Sequence, residues 1–244
     1  MCYFLWNYHY SSKDITVYNM DSSLAHNGVC RPSLEFGLDF FIRTNYVRSI
    51  VKKVYIKGEG TMSTHALTQK PFGFRTNFID FKLIGEVKLY NKKSKDGIGY
   101  VSRESVTKNA HLIDKWKVVT SRSTSVPEED NGQVLRMAQT FISEPGSVVT
   151  ESYVVLDVFD DAFSANNCLN YLKTKFFRML CQVLIVSPDV SSKTFELVPL
   201  QDFTSTSDID WSQSVSDIDR QLYAKYGLSD DEIAFIEKMI KPME

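Results

Sequence analysis

Asp80, Glu86 and Lys88 are the residues of this sequence best spaced for bond-breaking chemistry. Side chains alternate with period two along a strand, so Glu86-Val87-Lys88 sets a carboxylate and an amine on one face, with Asp80 six residues upstream. A metal-dependent nuclease holds Mg²⁺ with two carboxylates and keeps a lysine near the attacking water; the same three residues also fit a solvated strand face. Other catalytic patterns are missing. His9, His26, His65 and His111 stand singly, with no HExxH, no CxxC and no Cys-to-His spacing of a zinc site. There is no Gly-x-Ser-x-Gly elbow and no phosphate loop, and Lys57-Gly58-Glu59-Gly60 follows a helical pattern rather than a strand.

A second set of residues suits binding rather than cutting. Lys70-Pro71-Phe72-Gly73-Phe74-Arg75-Thr76-Asn77 interleaves two cations with two aromatics and ends on Asn77. The Asn77 amide has the donor and acceptor that pair bidentately with adenine, and Arg75 suits guanine or a phosphate. Lys92, Lys93 and Lys95 share a turn, Arg103 follows Tyr100 and Ser102, and Lys115, Lys117 and Arg122 flank another strand. Cations and small polar side chains in loops on a rigid β scaffold position phosphates and read bases. Singly, each of these residues reads as a solvated side chain or a packed aromatic; clustered, they favour a surface for double-stranded DNA.

The elements that must position these groups follow from hydrophobic spacing. Cys2–Trp6 and Ile15–Tyr18 read as a hairpin, and Tyr46, Val47, Ile50, Val51 and Val54 recur at helical spacing up to Gly58. Strands are expected at Asn77–Phe81, Val87–Tyr90, Gly99–Ser102, Trp116–Thr120 and Ser152–Leu156, with Lys95-Asp96-Gly97 as a tight reversal. Asp160 or Asp161 caps one long helix running to about Val186, followed by a short strand at Phe195–Val198 and a linker at Thr204–Asp208. Two helices close the chain, one from Ser214 to Gly227 and one from Ser229 with Glu232 in a capping box. The fold class is α+β.

Composition bounds the function classes. The chain has 244 residues, 43% apolar and 24% charged, with 11 Gly and 7 Pro, enough for a core and unlike a disordered or collagen-like chain. Cys2, Cys30, Cys168 and Cys181 show no paired spacing, which reads as reduced thiols in a cytoplasmic protein. The longest apolar run, Met179 to Val186, is broken by Gln182 and falls short of the ~20 residues of a membrane span. The net charge of −2 conceals a polarity along the chain: residues 31–125 carry 18 Lys and Arg against 8 Asp and Glu, and residues 126–244 carry 9 against 20. A basic block of this kind points to a polyanion, unless the two blocks interleave in space and cancel.

At these residues the sequence resembles a known family. CYFLW, RPSLEFG, FIRTNY, KPFGFRTNF, KDGIGYVSRESV, EPGSVVTESYVVLDVF, LKTKFFRML, FELVPLQDF and the segment from Trp211 to Met243 are similar to the C-terminal part of bacterial restriction-modification adenine-N6 DNA methyltransferases of the type IIG-like single-chain class. The resemblance implies a remnant of methylase strands at 1–30, a DNA target-recognition domain at 31–203 and a helical hairpin at 204–244. It implies that Phe72, Phe74 and Tyr100 are framework and that Lys92–Lys95 and Ser121–Asn131 are variable reading loops. The family's Asn/Asp-Pro-Pro-Tyr/Phe loop and its S-adenosylmethionine loop do not occur in this sequence. The expectation is therefore a truncated chain that binds DNA, holds no cofactor itself, and relies on a methyltransferase domain or subunit for the methyl donor.

Overall fold

The computed structural model describes residues 8–9, 11–18, 28–123, 139–185 and 189–243. The fold is α+β, and its centre is the antiparallel sheet β6-β5-β8, formed by β5 (Trp116–Ser121), β6 (Phe141–Ser143) and β8 (Tyr153–Phe159). Both faces of this sheet are covered, which is why Tyr153-Val154-Val155-Leu156 is an unbroken apolar run. Val118, Val154 and Leu156 face a helical layer, while Val119, Tyr153 and Val155 face a second sheet.

That second sheet has the order β4-β3-β7, with β3 (Val87–Tyr90) antiparallel to β4 (Ile98–Val101) and parallel to β7 (Ser147–Val149). Phe72, Phe74, Val87, Leu89, Ile113 and Val148 fill the core between the two sheets. β6 and β7 have no counterpart among the expected strands. Each is only three residues long, and they are joined through Pro145-Gly146, with Gly146 at φ 77°.

The helical layer departs from the sequence reading at one decisive residue. The single long helix is two helices, α2 (Ala162–Lys173) and α3 (Lys175–Leu184), divided at Thr174 with ψ 150°. Thr174 Oγ1 accepts from Phe177 N at 3.1 Å, and the Asp219 carboxylate accepts from Lys175 N and Phe176 N, each at 2.9 Å. Two caps on one N-terminus outweigh helix continuation there. Asp161 caps α2, as expected, by accepting from Ser164 N.

The other helices keep to their expected spans. Thr44, a cap that the hydrophobic spacing did not point to, starts α1 (Asn45–Lys57), and Gly58 stops it, as expected, at φ 67°. Ser214 caps α4 (Val215–Lys225), and Ser229 with Glu232 forms the capping box of α5 (Asp230–Met239). Phe195–Val198 is not a strand: a 3₁₀ turn at Ser192–Phe195 replaces it, nucleated by reciprocal bonds between Ser191 and Thr194. Thr204–Asp208 is no free linker either. Trp211 Nε1 donates to Asp202 O and Ser207 Oγ at 2.9 Å, and buried Phe203, Ile209 and Trp211 join α2, α3, α4 and α5 in one core.

At the N-terminal side, β1 (Asp14–Val17) pairs with β2 (Val29–Pro32); Cys2–Trp6 lies outside the described residues. Among the described residues no helix is long and apolar enough to cross a membrane.

Candidate nucleic-acid interface

The sheet β4-β3-β7 and the segments around it carry most of the candidate DNA residues, and the structure sorts them into two groups. In the first, Lys70, Arg75, Asn77, Lys93 and Lys95 have no side-chain partner among the described residues, and the last four are exposed. Lys93 and Lys95 project from the β3–β4 turn. Asn91 organises that turn: its Oδ1 accepts from Lys93 N at 2.9 Å, its Nδ2 donates to Phe78 O at 2.8 Å, and its N–H donates to Gly97 O at 2.8 Å. Gly97 closes it at φ 73°, a conformation that favours glycine. Lys70 opens a turn in which Gly73 N donates to Lys70 O, buttressed by Asn109 Nδ2 on Pro71 O at 2.8 Å. Phe72 and Phe74 are buried in the core between the sheets, consistent with a framework role.

Arg75 precedes, and Asn77 opens, a segment expected to be a strand. Asn77–Phe81 is instead irregular, and with its continuation to Glu86 it forms a ribbon pinned to the β3–β4 hairpin. Phe78 packs against Phe74 at 4.8 Å. Phe81 covers Gly99, where a Cβ would meet its ring at 2.5 Å. The Lys82 and Tyr100 backbones exchange hydrogen bonds at 2.8 and 2.9 Å on the outer edge of β4. The chain then crosses to the other edge of β4 to become β3, where Lys88 also pairs with Tyr100. A strand would need a continuous partner; the aromatic anchors at Phe78 and Phe81 hold the ribbon without one.

In the second group the cations are engaged. Arg103 forms a bidentate pair with Asp114, both bonds at 2.9 Å, and Lys115 pairs with Asp160. Arg122 reaches Glu151 and Asp189, each at 2.8 Å, and these carboxylates hold its guanidinium above its usual range. Lys92 donates to Ser121 Oγ at 2.8 Å, lies 5.3 Å from the Tyr153 ring centroid and is lowered by burial. Acidic residues from the later part of the chain therefore neutralise some, though not all, of the basic block. Residues 124–131 of the second expected reading loop lie outside the described residues.

Lys117 is a correction. It is 0% exposed and cannot reach a phosphate. Its ammonium donates to the carbonyls of Leu112, Ile113, Lys115 and Glu144 at 3.2, 3.0, 2.7 and 3.4 Å. Burial lowers it from 10.5 to about 8, still charged at neutral pH. Lys117 is thus a clamp that ties the start of β5 to the Ala110–Leu112 turn and to the β6–β7 turn.

The nuclease trio is placed on separate duties. Lys88 Nζ donates to Glu144 Oε1 at 2.7 Å, which raises its pKa. Glu86 accepts from the Arg103 N–H at 3.1 Å, and Asp80 is exposed on the ribbon. Among the described residues no group of three or more His, Cys, Asp or Glu is arranged to hold a metal ion.

One pair escaped the sequence reading. His65 Nδ1 lies 2.9 Å from Asp157 Oδ1, across 92 residues, beside a cleft of about 280 Å³ that Phe159, Gln201, Asp202 and Phe203 also line. A β-bulge brings them together. Asp157 opposes Val118 while Val155 opposes Val119, leaving Leu156 as the extra residue, so Asp157 turns to the helix-side face instead of the dry core between the sheets. Burial raises the Asp157 carboxyl, and the Val158 N–H and His65 offset this in part. The sequence signal was the lone acid in the apolar run of β8. Compared with protein-family models, curated proteins and solved structures, the chain matches none.

Proposed function

We propose that this chain binds duplex DNA through the β4-β3-β7 module, as the target-recognition portion of an adenine-specific DNA methyltransferase in the cytoplasm. S-adenosylmethionine and the methyl transfer would belong to a methylase domain or subunit that this chain orients on its site. The observation that carries the reading is the set of cations on one small module without carboxylate partners among the described residues: Lys70, Arg75, Lys82, Lys93, Lys95 and Lys108. Unpaired cations on a rigid scaffold are free to release phosphate counterions, and the Asn77 amide beside Arg75 supplies a base-edge contact. The resemblance of KPFGFRTNF and KDGIGYVSRESV to recognition-domain framework supports the same assignment.

Fluorescence anisotropy with a labelled duplex tests it. Binding is expected at low salt, with log Kd rising linearly with log salt concentration, and Lys93→Ala with Lys95→Ala should reduce the slope by about two, roughly one for each phosphate that is no longer neutralised. Absence of duplex binding at low salt, or binding indifferent to salt, overturns the proposal.

A further inference from the structure

We infer that Leu83 and Ile84, at the tip of the ribbon, form a wedge that enters the base stack of the bound duplex. This inference rests on the DNA-binding reading above and goes beyond it by assigning a distortion of the DNA to named side chains.

Leu83 and Ile84 are 87% and 85% exposed, and Ile79 on the same ribbon is 75% exposed. Their exposure is imposed by the backbone. The Lys82 bridge to Tyr100 fixes one end of the crossing segment and β3 fixes the other. Gly85 runs so close over β4 that a Cβ there would lie 2.9 Å from Tyr100 Cβ and 3.6 Å from Val101 O. The glycine thus lets the backbone lie directly on β4 at the residue after the two aliphatic side chains. The aromatic residues of the ribbon, Phe78 and Phe81, point into the module, and its aliphatic ones point out.

The ribbon itself is mixed in charge: Lys82 precedes the tip, exposed and without a protein partner among the described residues, Asp80 lies exposed before it, and Glu86 after it accepts from the Arg103 N–H. What points to a polyanion as the occupant is that the ribbon is continuous with a module whose Arg75, Lys93 and Lys95 are exposed and unpaired among the described residues. Two adjacent aliphatic side chains on a narrow ridge are far smaller than the roughly 800 Å² per partner of a stable protein interface. They match the apolar wedges that part a base step and kink a duplex by on the order of 20–90°. Flexible pyrimidine–purine steps such as TA are the easiest to open.

The test uses the full chain, a ~30-bp duplex with 2-aminopurine in a TA step, a length and step at which bending is measurable, and donor and acceptor dyes at the duplex ends. The wild type is expected to raise 2-aminopurine fluorescence and bring the ends together. At saturating protein, Leu83→Ser with Ile84→Ser should keep the salt slope and the thermal midpoint of the wild type while losing most of the fluorescence gain and the bend. A double variant that keeps the full signal overturns the wedge, as does a wild type that binds without any signal. So does a wild type that sediments as a dimer and becomes monomeric in the variant, which would assign the ridge to a second copy of the chain. Failure of the wild type to bind any duplex overturns the DNA-binding reading itself, a distinct result.

Discussion

The helical layer and the outer β module solve the same packing problem with opposite treatment of their polar groups. In the helical layer they turn inward to hold the fold: Asp219 receives two N–H groups of α3, Glu232 receives the Ser229 N–H and Lys53, and Arg178 donates to Lys241 O at 2.7 Å. In the β module Lys117 does this internal work and Lys88 and Lys92 are held by Glu144 and Ser121, while Lys82, Lys93 and Lys95 on the ribbon and the β3–β4 turn have no side-chain partner among the described residues. The difference separates scaffold from surface. Charges that stabilise are buried and matched, and those that remain unmatched lie where a polyanion can reach them.

Three experiments press on that division. Phe176→Ala should have the largest effect. Phe176 is fully buried and stacked on Tyr226 at 4.9 Å, and its truncation is expected to cost about 3–5 kcal/mol, read as a large drop in the urea midpoint of the whole chain. A small drop would mean that the helical layer is not the principal core. Lys117→Met comes next. It keeps most of the volume but removes the donor to four carbonyls, with an expected loss of about 2–3 kcal/mol; an unchanged midpoint would return Lys117 to the surface and to DNA contact.

The smallest effect is a pH dependence. Burial pushes Asp219 up from 3.8 to about 6 against the pull of its two N–H donors. The folded chain then holds a proton that the unfolded chain has released between those values. The stability linked to this group is full below 3.8 and is lost as pH rises through about 6. Asp219→Asn should flatten the thermal midpoint across that interval, and an unaltered profile would place the titration elsewhere.

Most helix ends were legible in the sequence because capping chemistry is local: Gly58, Asp161, Ser214 and Ser229 with Glu232 act within about a turn of themselves. The break at Thr174 was missed because half of its cause, Asp219, lies 44 residues away from Lys175. β3, β4, β5 and β8 were legible from β-branched and aromatic runs, whereas three-residue β6 and β7 are too short to show a period. The candidate site divided along the same line. Residue type marked Arg75, Asn77, Lys93, Lys95 and Lys117 alike as candidates, and nothing local distinguishes exposed Lys95 from buried Lys117. Burial of the latter depends on carbonyls of the Ala110–Leu112 turn and of Glu144 converging on one point.

The carbonyl cage around Lys117 has one further implication. Oxygen rings of that kind are how proteins ordinarily hold an alkali cation, whose occupancy follows the ionic composition of the buffer. Here the cation is covalently attached and travels with the backbone, so the cage stays filled at any ionic strength. A salt titration of this chain therefore leaves the seam at the base of β5 unchanged, and what it records comes from charges on the outside.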